Sequence, residues 1–177
     1  MKQIIIPLAA VFLIITILGV LNKYPGASKE ALQNPGGFIE TAVEKNVYNK
    51  KEVKIGEKAI LVELADTQET RNKGLSGRNG LDEGQGMLFV FETQDVSPAF
   101  WMKDMKFSID IIWINDGKVV LISKEVPAPA ADTPDRSLPL YTPESVVDYV
   151  LEVSAGSSDK NGISVGDGVD LSSALGN

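Results

Sequence analysis

The segment Ser108-Ile109-Asp110-Ile111-Ile112-Trp113-Ile114-Asn115-Asp116-Gly117-Lys118-Val119-Val120-Leu121-Ile122 holds two runs of β-branched, aliphatic and aromatic residues joined by Asn-Asp-Gly. Such runs favour strands. Asp-Gly supplies the positive-φ positions of a tight hairpin turn. The segment therefore predicts two antiparallel neighbours. Along its first strand even-numbered residues share one face and odd-numbered ones the other, and both faces are apolar apart from Asp110.

Working outward, Met87-Leu88-Phe89-Val90-Phe91 and Val146 to Ala155 read as further strands. Val53-Lys54-Ile55 and Ala59 to Ala65, separated by Gly56-Glu57, read as an earlier hairpin. Asp66 caps a short helix that ends at Gly74, with Glu69 completing a capping box and Arg71 and Lys73 in the last turn. Prolines 127, 129, 134, 139 and 143 make residues 126–143 a long irregular loop. Ile163 to Leu171, broken by Gly166-Asp167-Gly168, adds one or two short strands. The expected class is mainly β: a compact antiparallel barrel or sandwich of short strands with one or two short helices.

The N-terminus obeys a different rule. Ile4 to Leu21 is an uncharged run of 18 residues, interrupted only by Pro7, Thr16 and Gly19. As a helix it spans roughly 27 Å, close to the hydrocarbon core of a bilayer. Residues 1–21 are expected to be a transmembrane signal anchor, 22–46 a Pro- and Gly-punctuated linker, and 47–177 the β domain. The expected localisation is a single-pass membrane protein with an extracytoplasmic domain, secreted if the N-terminal segment is cleaved. Partners are then the membrane, through residues 4–21, and a small polar ligand or an envelope protein.

Composition removes much familiar chemistry. The 177 residues contain neither Cys nor His, which excludes disulfides, Cys nucleophiles and His-based triads. The formal charge of −7 disfavours nucleic acid as a partner, and residues 22–177, with 16 basic against 24 acidic residues, are disfavoured from docking on an anionic lipid surface. Neither the glycines from Gly74 to Gly86 nor the aspartates from Asp159 to Asp170 have the spacing of a phosphate loop or a calcium loop. No catalytic residue, metal ligand or cofactor is assigned.

Two carboxylates stand out. Asp110 and Glu152 each interrupt an apolar strand, where an unpaired buried charge costs several kcal/mol. Arg71, Arg78, Lys103 and Arg136 are the available partners for a structural pair. The alternatives are carboxylates that satisfy backbone donors, a polar ligand site, and a pair of acids for saccharide hydrolysis. Phe100-Trp101-Met102-Lys103-Asp104-Met105 precedes the central strand, and its Trp either plugs a barrel end or stacks on a ligand.

Three ordered blocks carry a resemblance. Gly74-Leu75 and Arg78 lead to Gly86 through Phe91; Phe100 through Met105 lead to Asp110-Ile111; and Tyr149 through Val153 precede Ala155-Gly156, Gly162-Ile163 and Gly166-Asp167. Over about residues 51–171 the chain resembles the domain of unknown function 192 family. Ser76 stands where that family typically has Met. The resemblance implies a compact, mainly β domain and no particular activity. It marks Arg78, Trp101, Lys103, Asp110, Glu152 and Asp167 as motif positions.

The resulting expectation is a membrane-tethered extracytoplasmic domain that binds a polar ligand or partner protein rather than catalysing a reaction. Arg78, Trp101, Lys103, Asp110 and Glu152 are its candidate ligand-binding residues. The alternatives are a carboxylate-dependent hydrolase acting on a saccharide or cell-envelope component, and a purely structural interaction domain.

Overall fold

The computed structural model describes residues 50–176. The anchor and linker expected at 1–46 lie outside the described residues. Among those described, no helix is long and apolar enough to cross a membrane.

Seven strands form one sheet: β1 (Lys51–Ile55), β2 (Lys58–Ala65), β3 (Gln85–Val90), β4 (Ile109–Asn115), β5 (Lys118–Val126), β6 (Tyr149–Ser154) and β7 (Val169–Asp170). Their order is β5-β4-β6-β3-β2-β1-β7. The first and last members nearly close into a barrel, because the chain beside β7 returns to the start of β5. Val169 N–H donates to the Gly117 carbonyl (2.8 Å), and Val119 N–H donates to the Asp167 carbonyl (2.9 Å). Asp167 also accepts from Ser164 N–H (2.8 Å), so this motif residue shapes the closing turn.

The β4–β5 hairpin forms as expected, with Asp116 and Gly117 both at positive φ. The β1–β2 hairpin forms as well. One pairing differs from the all-antiparallel expectation: β2 and β3 run parallel, Leu64 opposite Leu88. Parallel neighbours need a crossover, and residues 66–84 provide one. That crossover carries helix α1 (Gln68–Lys73), whose cap is Thr67 rather than Asp66. Thr67 and Thr70 exchange side-chain and backbone hydrogen bonds (3.1 and 3.0 Å), so Thr70 takes the capping-box place expected of Glu69.

Among the described residues there are three short α-helices rather than one or two, the others being α2 (Ser157–Lys160) and α3 (Ser172–Leu175). The last segment gives only one short strand, β7, and then turns into α3. The 126–143 loop holds a single 3-10 turn at Asp135–Ser137. The expected strand from Val146 begins at Tyr149, with Val147 making an isolated bridge to Val96.

Alternation splits the core in two. Val53, Ile55, Ile60, Val62, Leu88, Ile112, Ile114, Leu151 and Val153 form one cluster, closed by Ile163 and Ala174. Ala65, Met87, Phe89, Ile109, Ile111, Trp113 and Val150 point the other way, against Leu75, Met102 and Met105 from the connecting segments. Both faces of β4 and β6 are thus covered, which explains their unbroken apolar runs.

Two buried aspartates stabilise the turns around this sheet. Asp148 accepts from Asp95 N–H (3.2 Å) and Asp116 N–H (3.0 Å), both residues at positive φ. Asp110, with no exposed surface, accepts from Glu125 N–H (2.8 Å), also at positive φ, and from Gly156 N–H (3.1 Å) and Ser158 N–H (2.9 Å) at the start of α2. The Ser158 hydroxyl adds a fourth bond at 2.5 Å.

Candidate functional site

On the second face, register places Glu63, Met87, Glu152 and Ile111 in one row across β2, β3, β6 and β4. Two of the four are carboxylates, and they are treated differently. Glu63 receives a bidentate pair from Arg78 (2.8 and 2.7 Å), which holds its carboxyl below the usual range. Glu152 lies between Met87 and Ile111 with only 6% of its surface exposed. No described residue donates a hydrogen bond to its carboxylate. Burial alone raises its pKa to about 8.

The Glu152 side chain lines a cavity of about 50 Å³. One wall is α1 and the turn after it, from Arg71 to Ser76; the other is Phe100, Trp101 and Met105. Gly74, at φ +48°, makes this turn possible: a Cβ there would sit 3.3 Å from the Phe89 ring. Phe100 stands edge-on to both Phe89 (4.8 Å between centroids) and Trp113 (5.6 Å), which fixes the aromatic wall. The cavity continues into an open depression of about 350 Å³ that shares Arg71, Asn72, Phe89 and Phe100 with it.

Two of the polar groups on the helix wall, Arg71 and Ser76, already have partners. Arg71 Nη1 donates to the carbonyls of Asp66 and Val90 (2.8 Å each), joining the end of β2 to the end of β3, and Nη2 reaches Glu92 (3.2 Å). The Ser76 hydroxyl donates to the Lys103 carbonyl (2.8 Å).

Of the sequence-derived site residues, Glu152 and Trp101 meet at this cavity. Trp101 is 45% exposed, so it does not plug the barrel; the buried indole is that of Trp113, which donates to Ser123 (3.1 Å). Lys103 lies just outside, its ammonium 5.5 Å from the centre of the Trp101 ring and paired with Asp135 of the Pro-rich loop. Arg78 is engaged with Glu63, and Asp110 faces the other side of the sheet. None of Arg71, Arg78, Lys103 and Arg136 pairs with either Asp110 or Glu152, because backbone donors satisfy the first and nothing described satisfies the second. The hydrolytic alternative loses its geometry, since the two acids cannot converge on one bond. Sequence reasoning did not assemble Leu75, Ser76, Phe89, Phe100 and Met105 into the cavity, although Ser76 stood out as a departure from the family pattern.

Fold and site together define a mainly β, barrel-like domain with one unpartnered carboxylate in a side cavity. The chain belongs to the DUF192 family, described as Uncharacterized ACR, whose model matches residues 49–171. A crystal structure of a protein of unknown function from Novosphingobium aromaticivorans DSM 12444 is similar at 26% identity and a TM-score of 0.60, over 68% of this chain and 84% of that one. A protein from Sinorhizobium meliloti 1021, described as a candidate transcription regulator, is similar at 29% identity and a TM-score of 0.59, over 68% and 92% of the two chains. No curated protein matches the chain.

Proposed function

We propose that the protein is a non-enzymatic binding domain, held at the extracytoplasmic side of a membrane by residues 4–21, which takes a small polar ligand at Glu152. One observation carries the reading: a nearly buried carboxylate without a donor faces a cavity whose mouth bears an exposed Trp101. The Glu152 oxygens keep some contact with solvent, so a ligand seated there replaces water with a direct partner. Binding is preferred to catalysis because a single carboxylate faces the cavity. Transcription regulation, the description attached to the Sinorhizobium neighbour, is not adopted: a formal charge of −7 is the wrong sign for a phosphate backbone.

The two indole N–H signals in a nitrogen-proton correlation spectrum test the reading, because Trp101 is exposed and Trp113 is buried. Full-length protein is titrated with a panel of monosaccharides, amides and amines, each to about 10 mM, above the range of weak specific affinities. A saturable shift of the Trp101 signal with Trp113 unmoved is expected. If no compound moves Trp101 or the amides of Leu75 and Ser76, the site reading fails.

A further inference from the structure

We infer that the group seated at Glu152 is a primary ammonium on a short alkyl stem, with the carboxylate as its counter-charge and the Phe89, Phe100 and Trp101 rings as its walls. This rests on the binding reading above and names the ligand class.

Size comes first. A volume of about 50 Å³ beside Glu152 takes a narrow group such as the end of an alkylamine, and any bulkier part of a ligand must lie in the adjoining open depression. Next comes the balance of donors and acceptors. Arg71 Nη1 and Nη2 and the Ser76 hydroxyl donate elsewhere, Asn72 and Lys73 are further donors on the helix wall, and the acceptors of the lining are the Ser76 lone pairs and the Glu152 carboxylate once it has released its proton. An ammonium brings three donors and no acceptor.

Aromatic faces attract cations; the Lys103 ammonium lies 5.5 Å from the centre of the Trp101 ring, which leaves the Phe89 and Phe100 rings as the faces open to a ligand cation. The net charge of −7 adds a long-range pull of the same sign. A metal ion does not suit the site, since calcium and magnesium require about six oxygen ligands and one carboxylate faces this cavity.

The groups packed on Glu152 are Met87 from β3, Ile111 from β4, and Leu75, Ser76, Phe100 and Met105 from the connecting segments. Arg71 and Lys73 line the helix wall without lowering its pKa, which burial alone sets near 8. At pH 7 the free protein therefore holds the Glu152 proton. On binding, that proton leaves to the buffer and the ammonium takes its place as the positive partner, so charge balances.

Isothermal titration of the full-length protein at pH 7, repeated in buffers of different ionisation enthalpy, measures the released proton. The probes are n-butylamine as a free amine, Nα-acetyl-lysine amide as a peptide-borne one, and glucose and acetate as neutral and anionic controls. Amine binding with release of roughly 0.9 proton at pH 7, and an affinity that rises about tenfold from pH 7 to pH 9, is expected. The stronger of the two amine probes identifies the source. Glu152→Gln, checked for an unchanged correlation spectrum, should lose both binding and release. Glucose or acetate moving the Trp101 signal while the amines do not would overturn the ammonium assignment and leave the site standing. An affinity flat with pH, or retained in Glu152→Gln, would also overturn it. No shift with any probe would remove the site itself.

Discussion

Asp110 on β4 and Glu152 on β6 sit one register step apart on paired strands, Asp110 opposite Val153 and Ile111 opposite Glu152, and so face opposite sides of the same sheet. Their electrostatics are opposite as well. Burial pushes both carboxyls upward, but the hydrogen bonds from Glu125, Ser158 and Gly156 bring Asp110 below the ordinary range. Glu152 has no such donors and stays near 8. Two acids that look alike in sequence thus have different roles, one holding loops in place and one facing a cavity.

Asp110→Asn should destabilise the domain by about 2–3 kcal/mol, because an amide can no longer accept all four bonds and places its own donors against N–H groups. Since the folded pKa is lowered, this stabilisation is fully present above the unfolded value, about 3.9, and is lost as pH falls through the folded value. Urea unfolding at pH 7 and at successively lower pH checks both statements; the gap between the variant and the parent should narrow as pH falls below the unfolded value.

Glu152 has the reverse sign. Its folded carboxyl keeps a proton that the unfolded chain has released, so stability falls as pH rises from about 4.5 to about 8 and then levels. The slope is on the order of 1.4 kcal/mol per pH unit at most. Glu152→Gln removes it, and the variant should exceed the parent in stability at pH 8.5. A series of denaturation midpoints between pH 5 and pH 9 measures this.

Gly86→Ala tests the packing of β3 on β6. A Cβ at this position would lie 2.7 Å from the Glu152 carbonyl oxygen and 3.0 Å from Leu151 Cδ1. The backbone atom cannot swing away as a side chain would, so a loss of about 1–3 kcal/mol is expected from thermal unfolding.

Arg71→Lys keeps the charge but lacks the fork that reaches both the Asp66 and Val90 carbonyls. Loss of one of these bonds should cost about 1–2 kcal/mol. It should also speed amide exchange at the end of β3, which hydrogen exchange reads residue by residue.

Local chemistry was legible wherever it was local. Asp116-Gly117 supplied the turn, the Ile- and Trp-rich run from Ile109 to Ile114 indicated a strand, and Gly74 ended its helix. The cap one residue later than expected, Thr67 with Thr70, shows the limit of that reading, because neighbouring side chains competed for the same backbone donors. The parallel β2–β3 pair was not legible, since strand direction depends on how a crossover packs and not on the strand's own residues.

The site divides in the same way. The sequence by itself determined that Asp110 and Glu152 interrupt apolar strands, that a Trp precedes β4, and that cysteine nucleophiles and imidazole bases are absent. Only the tertiary structure decided which acid is satisfied. Asp110's donors come from residues 15 to 48 positions away, and the cavity at Glu152 is walled by α1, the turn after it, and Phe100, Trp101 and Met105. Side-chain type is written in the chain locally; whether a buried charge meets a donor depends on contacts between distant segments, which no local pattern encodes.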